Sequence, residues 1–232
     1  MTILEPSATQ RLRPVAFDLY RDIHKAICIE LFAAVGEAGR LDPADECGVA
    51  ALGDQVRQVV RFLLEHAENE DGAIQPVLEL NFPALAARVE ADHHTPDTRM
   101  ESLITLADEV RQATSRRALV NELYIELAAF TSDYLRHQDF EECEASQALE
   151  SAVGFEGLLA IHGSIIGQMP PQELIASLSL MFPAMNVDDR TDLLGGMRAT
   201  APAEVFSGVW SLAKSVLTSD EHRAVAVRLG LT

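Results

Sequence analysis

Between Phe62 and Pro76 the chain places His66 and Glu70 four residues apart in a segment of helical periodicity. Four residues turn a helix by about 400°, so imidazole and carboxylate sit about 40° apart on one face. Val59, Phe62 and Leu63 occupy that face one or two turns earlier, which turns it toward a core. An imidazole and a carboxylate buried together are costly without a counter-charge, and a metal ion is the common remedy. The constraint on the fold is that other segments bring further donors to the same depth.

The rest of the sequence is helical by pattern. From Pro14, the residues Phe17, Tyr20, His24, Ile27, Cys28 and Leu31 recur at three and four, and Gly36 and Gly39 read as the close of a first helix. Asp42 and Pro43 offer an N-cap and a first-turn proline for a second helix, starting there or near Leu52 and reaching about Leu80. A third segment runs from Ala84 to His94. Thr95 and Pro96 then read as a fresh cap, and interior proline costs about 3 kcal/mol. The third helix is therefore expected to kink or restart, resuming from Met100 to about Thr114. A fourth, Leu119 to about Ala152, aligns Leu123, Leu127, Phe130, Tyr134, His137 and Glu141.

Gly154 opens a different region with four short helices expected at 155–168, 171–183, 187–199 and 202–229. The last is broken near Thr218, where Thr218 and Glu221 have capping-box spacing. No segment has a strand period. The expected fold is all-α: a flexible arm over 1–14, an up-down four-helix bundle over 15–153, and a smaller helical C-terminal region over 154–232.

Charge narrows the partners. Of 232 residues, 18 are Lys or Arg and 36 are Asp or Glu, a net charge of −18. That balance repels phosphate backbones and anionic lipid, so neither nucleic acid nor a membrane is an expected partner, while cations are attracted. No apolar run of signal-peptide length begins the chain, and none of membrane-span length is expected later. Cys28, Cys47 and Cys143 are odd in number and lack CxxC spacing, which suits a reducing cytoplasm. All three read as ordinary thiols, although Cys28, one turn after His24, is also placed for redox sensitivity.

Each of the four long helices offers a donor on its apolar stripe: His24; His66 with Glu70; His93 or His94; and His137 with Glu141. A single histidine on such a stripe is usually a hydrogen-bonded core residue, and one HxxxE pair is often a surface pair. Two HxxxE pairs with a histidine on each remaining helix point to metal. Mixed imidazole and carboxylate donors suit iron, manganese or zinc, and six exceed one tetrahedral zinc but fit two bridged ions. Tyr20 and Tyr134 read as core aromatics with contact to the pocket as the alternative. Glu142 and Asp71 read as outer or solvent residues, Trp210 as a core anchor of the tail, and His162 and His222 have no assigned role.

The runs Asp22–Ile27, His66–Pro76, Glu90–His93 and Tyr134–Glu142, in that order, resemble the bacterial hemerythrin-like (HHE cation-binding) family over about 15–152. Met181–Asn186, Arg190 and Leu193–Gly196 resemble a helical tail carried by some members. The resemblance implies a non-haem di-iron site with an oxo or hydroxo bridge. His24 and His66 would hold one iron, His93 and His137 the other, and Glu70 and Glu141 would bridge them. An open position would take O2 or a related small oxidant. The family usually has two histidines four apart on the third helix, whereas the residue four after His93 is Asp97. Asp97 substitutes as a ligand, or His94 is used, or one ion is a ligand short; Pro96 favours the latter two. Other transition metals fit the same donors.

The expected function is binding or sensing of O2, NO or peroxide. A di-iron peroxidase or oxidase is the alternative; without a nucleotide- or flavin-binding glycine motif, its electrons would come from a redox partner. A third reading is a regulatory bundle with a structural or absent metal, whose C-terminal helices dock a partner or form a homodimer.

Overall fold

The computed structural model describes residues 14–231, and of 92–97 the backbone alone. Among these residues there is no strand. Ten α-helices follow: α1 Arg21–Arg40, α2 Glu46–Ala73, α3 Gln75–Asn81, α4 Pro83–Gln112, α5 Arg117–Phe140, α6 Ser146–Gln168, α7 Pro171–Ala184, α8 Val187–Thr200, α9 Ala203–Val216 and α10 Ser219–Leu229. A π-turn, Glu141–Ala145, joins α5 to α6. The all-α expectation holds. The expected arm, save Pro14, lies outside the described residues.

Several boundaries differ from the sequence reading, each for a physical reason. α1 continues through Gly36 and Gly39, because Leu31, Ala34 and Ala38 stay buried along its stripe and glycine costs only about 1 kcal/mol in a helix. Gly39 also lets the Tyr124 ring approach: a Cβ there would lie 3.2 Å from it. The cap of α2 is Asp45, whose carboxylate accepts the Cys47 N–H at 3.0 Å, while Asp42 accepts from Ala44 in the preceding turn. α2 stops at Ala73 because Pro76 has no N–H to continue its ladder. α4 runs unbroken through Pro96, against the expected restart. Ala86 and Val89 before the proline and Met100, Leu103, Ala107 and Val110 after it are all buried, and that burial outweighs one lost hydrogen bond.

Pairs across neighbouring helices fix the up-down order. Arg57 of α2 pairs with Asp108 of α4, and Gln75, just past the end of α2, donates to the Ala86 carbonyl near the start of α4, so α2 and α4 are antiparallel. Arg99 with Asp133 and Arg88 with Glu144 do the same for α4 and α5 with its π-turn. Cys28 with Gln138, and Gly39 with Tyr124, do so for α1 and α5. The bundle is therefore a four-helix up-down array with α1, α2, α4 and α5 as its staves.

The chain divides into two compact units. The first takes 14–21 and Ile27–Gln168; the second takes Met169–Thr232 with Asp22–Ala26 of α1. The expected boundary at 154 is instead a kink: Gly154 has φ 63° and ψ −174°, a conformation that favours glycine. Beyond it α6 still buries Leu158 and Ile161 against Ile74, Leu78 and Val89, so it stays with the first unit. The helical run Arg117–Gln168 is long and apolar enough by length and composition to cross a membrane, contrary to expectation. The π-turn and the Gly154 kink interrupt it.

The second unit packs Leu178, Phe182, Leu194, Ala213, Leu217 and Val225 together, with Trp210 against their edge, stacked on Phe206 and 4.2 Å from His222 between ring centroids. Lys25 and Asp189 form an ion pair within it. Buried Arg190 donates to the Phe182 carbonyl at 2.7 Å and to Glu221 at 3.0 Å. Thr218 and Glu221 form the capping box that their spacing predicts. Hydrogen bonds from the Thr218 hydroxyl and N–H, and then from Arg190, pull the Glu221 carboxyl from 4.5 to about 2. The ionised cap thus stabilises fully above pH 4.5, and its contribution is lost as pH falls through 2. Because Glu221 is 41% exposed, solvent screens the charge and the effect is the size of a cap. Glu221→Ala is expected to cost about 1 kcal/mol at pH 7, and the gap from the parent should narrow toward pH 2. Chemical denaturation followed by Trp210 fluorescence, the chain's one tryptophan, measures it.

Candidate metal centre

His24 stands in the first turn of α1, His66 and Glu70 in the last two turns of α2, and His137 one turn before the end of α5. Glu141 is the first residue of the π-turn. All five are buried; Glu141 is 0% exposed and His24 1%. The helical spacing brings each HxxxE pair together: His66 Nε2 is 3.2 Å from Glu70 Oε1, and His137 Nε2 is 3.2 Å from Glu141 Oε1.

Across helices, one donor atom each from His24, His66, Glu70 and Glu141 lie within 4.8 Å of one another. Two ligands on opposite sides of an ion at about 2.1 Å are about 4.2 Å apart. These four atoms therefore already converge to near coordination distance. Two imidazoles and two carboxylates, all water-excluded, suit a transition-metal cation better than calcium or magnesium. The residues fit a metal. His137 joins the cluster through Glu141. The side chains of His93, His94 and Asp97 lie outside the described residues.

The surroundings carry the charge of the carboxylates. Tyr20 and Tyr134 are buried, and the phenol of each is held well above its ordinary pKa of 10, first by burial and then by the charges of Glu70 and Glu141. Both phenols therefore keep their protons at neutral pH. The Tyr134 ring meets His137 edge-on, with centroids 5.7 Å apart. Cys28 Sγ donates to Gln138 Oε1 at 3.3 Å. Burial, and then Glu142, push the Cys28 thiol up, so it is held away from the reactive thiolate form. Asp71 is exposed and Glu142 half-buried, and His162 packs edge-on against Phe17 at 5.2 Å.

Two features of the site have no local signal in the sequence. One is the π-turn, whose extra residue changes the register just where Glu141 is presented; such bulges frequently mark functional sites. The other is Gln138, buried beside His137 with its carbonyl on Cys28.

Residues 15–148 match the family described as the hemerythrin HHE cation binding domain. The chain belongs to the hemerythrin HHE family. The match covers more than half of the chain and includes all six donors expected from the sequence. No curated protein and no solved structure matches the chain. In this HHE domain the buried His and Glu donors lie where α1, α2 and the α5 π-turn meet.

Proposed function

We propose that the HHE domain is a non-haem di-iron centre that binds or senses O2, NO or peroxide. The observation that carries the reading is the buried convergence of His24, His66, Glu70 and Glu141 within 4.8 Å, inside the matched domain. In this reading His24 and His66 hold one ion, His137 and a donor from α4 hold the other, and Glu70 and Glu141 reach both. When bound, a pair of redox-active ions with an open position supplies reversible binding or reduction of a small oxidant.

The chain's own residues set the conditions. His24, His66, Glu70, His137 and Glu141 are themselves buried, so charges inside the site act at low dielectric. Glu70 and Glu141 supply negative charge that offsets the cations. On α4, His93 is the expected donor, with His94 or Asp97 in reserve. His93→Ala should reduce metal content more than His94→Ala; the opposite order assigns the site to His94. A changed metal spectrum in Asp97→Ala would identify Asp97 as a ligand.

Titrating the reduced, iron-loaded chain with O2, NO and hydrogen peroxide tests the function. A saturable spectral change with at least one of the three is expected. An iron-loaded chain whose spectrum none of them alters would overturn the reading.

A further inference from the structure

We propose that Tyr20 and Tyr134 are electron and proton donors to a peroxide reduced at the centre, an inference that rests on the di-metal reading above. The helix directions place residues Tyr20 and Tyr134 on opposite sides of the carboxylate-bearing level along the bundle axis. Tyr20 lies one turn before His24, at the N-cap of α1. Tyr134 lies about one turn before His137 and two before Glu141 on α5, which runs the other way. The register is set by Cys28, whose Sγ meets Gln138: residues before His24 and residues before His137 therefore lie toward opposite ends.

Both side chains are enclosed, Tyr20 at 1% and Tyr134 at 5% exposure, so an oxidised ring is shielded from solvent and from other chains. The third tyrosine, Tyr124, differs: it is 40% exposed and packs on Gly39.

Charge decides the form of the step. Loss of a proton alone would add a phenolate beside Glu70 and Glu141 in a buried site, which is costly. Loss of an electron alone would leave a buried cation on the ring. Loss of both together leaves the charge unchanged. Peroxide requires that pairing twice: its O–O bond breaks, each oxygen leaves as water, and each phenol gives one electron and one proton and becomes a neutral phenoxyl. The balance is H2O2 + 2 ArOH → 2 H2O + 2 ArO•, with peroxide as the oxidant.

The test uses the full chain loaded with iron, mixed with hydrogen peroxide and frozen, with metal content measured on each sample. The expected result is an organic-radical signal in the electron paramagnetic resonance spectrum. It should narrow when the chain is made with ring-deuterated tyrosine, persist in Tyr124→Phe, and be lost in Tyr20→Phe/Tyr134→Phe. Deuteration needs no substitution and assigns the radical even if a Phe variant misfolds. A fully loaded chain that consumes peroxide with no phenoxyl signal, or a signal surviving in the double variant, overturns the donor role and leaves the di-metal reading standing. A chain that takes up no metal overturns both.

Discussion

Glu141→Ala is expected to remove most of the metal from both positions of the centre, whereas His24→Ala should empty chiefly one. The difference follows from geometry. Glu141 is fully buried, 3.2 Å from His137, and its carboxylate also belongs to the group with His24, His66 and Glu70. In the proposed di-iron centre a carboxylate between the two half-sites would serve both, while an imidazole would serve one. Losing an outer-shell partner of a ligand typically weakens metal binding by roughly 10–100-fold, and loss of a bridging ligand should exceed that. Metal per chain, measured on both variants purified alongside the parent, decides it. Full stoichiometry in Glu141→Ala would mean that Glu141 bridges nothing.

Stripping the metal should destabilise the bundle, and the effect of Glu141→Gln on stability should change sign between the loaded and the stripped chain. Glu70 and Glu141 are 5% and 0% exposed, so two carboxylates are held out of water in one small volume. A bound cation offsets that charge and, by linkage, stabilises the folded chain by about 4 kcal/mol per site at a thousand-fold excess over Kd. Chelation is therefore expected to lower the thermal midpoint by several degrees. In the metal-free chain, Glu141→Gln removes one buried charge and should leave the midpoint equal or higher; in the metal-loaded comparison it should lie lower. Scans of both proteins with and without chelator give all four values. A parent midpoint indifferent to chelator would show that no metal binding is coupled to folding.

The reach of the sequence can be argued residue by residue. His66 with Glu70 and His137 with Glu141 were legible as neighbours because helical spacing alone brings them together, as the 3.2 Å separations show. His24 was legible only as a polar residue on an apolar stripe; its place beside Glu70 and Glu141 depends on the register of three helices. Thr218 and Glu221 carry their cap in four residues, so that prediction was local and complete. Asp42 and Asp45 are both chemically able to cap α2; Asp45 does so, while Asp42 accepts the Ala44 N–H in the preceding turn.

The misjudged positions are those where tertiary burial opposes a local preference. Pro96 disfavours helix, yet α4 stays continuous because its stripe is buried before and after. Gly154 marks a change of conformation but not of unit, since Leu158 and Ile161 still pack in the bundle. The π-turn at Glu141 has no composition of its own; Phe140, Glu141 and Ala145 are all buried along it. Tyr20 and Tyr134 were readable as core residues, but the charges of Glu70 and Glu141 acting on both could come only from the assembled bundle.

The most direct test is metal identity and stoichiometry on the freshly purified chain, with its absorption spectrum in air and after reduction. Two irons per chain, with an oxo-bridge charge-transfer band that disappears on reduction, is the predicted result. Substoichiometric metal, or a single colourless ion with no such band, would contradict the di-iron centre.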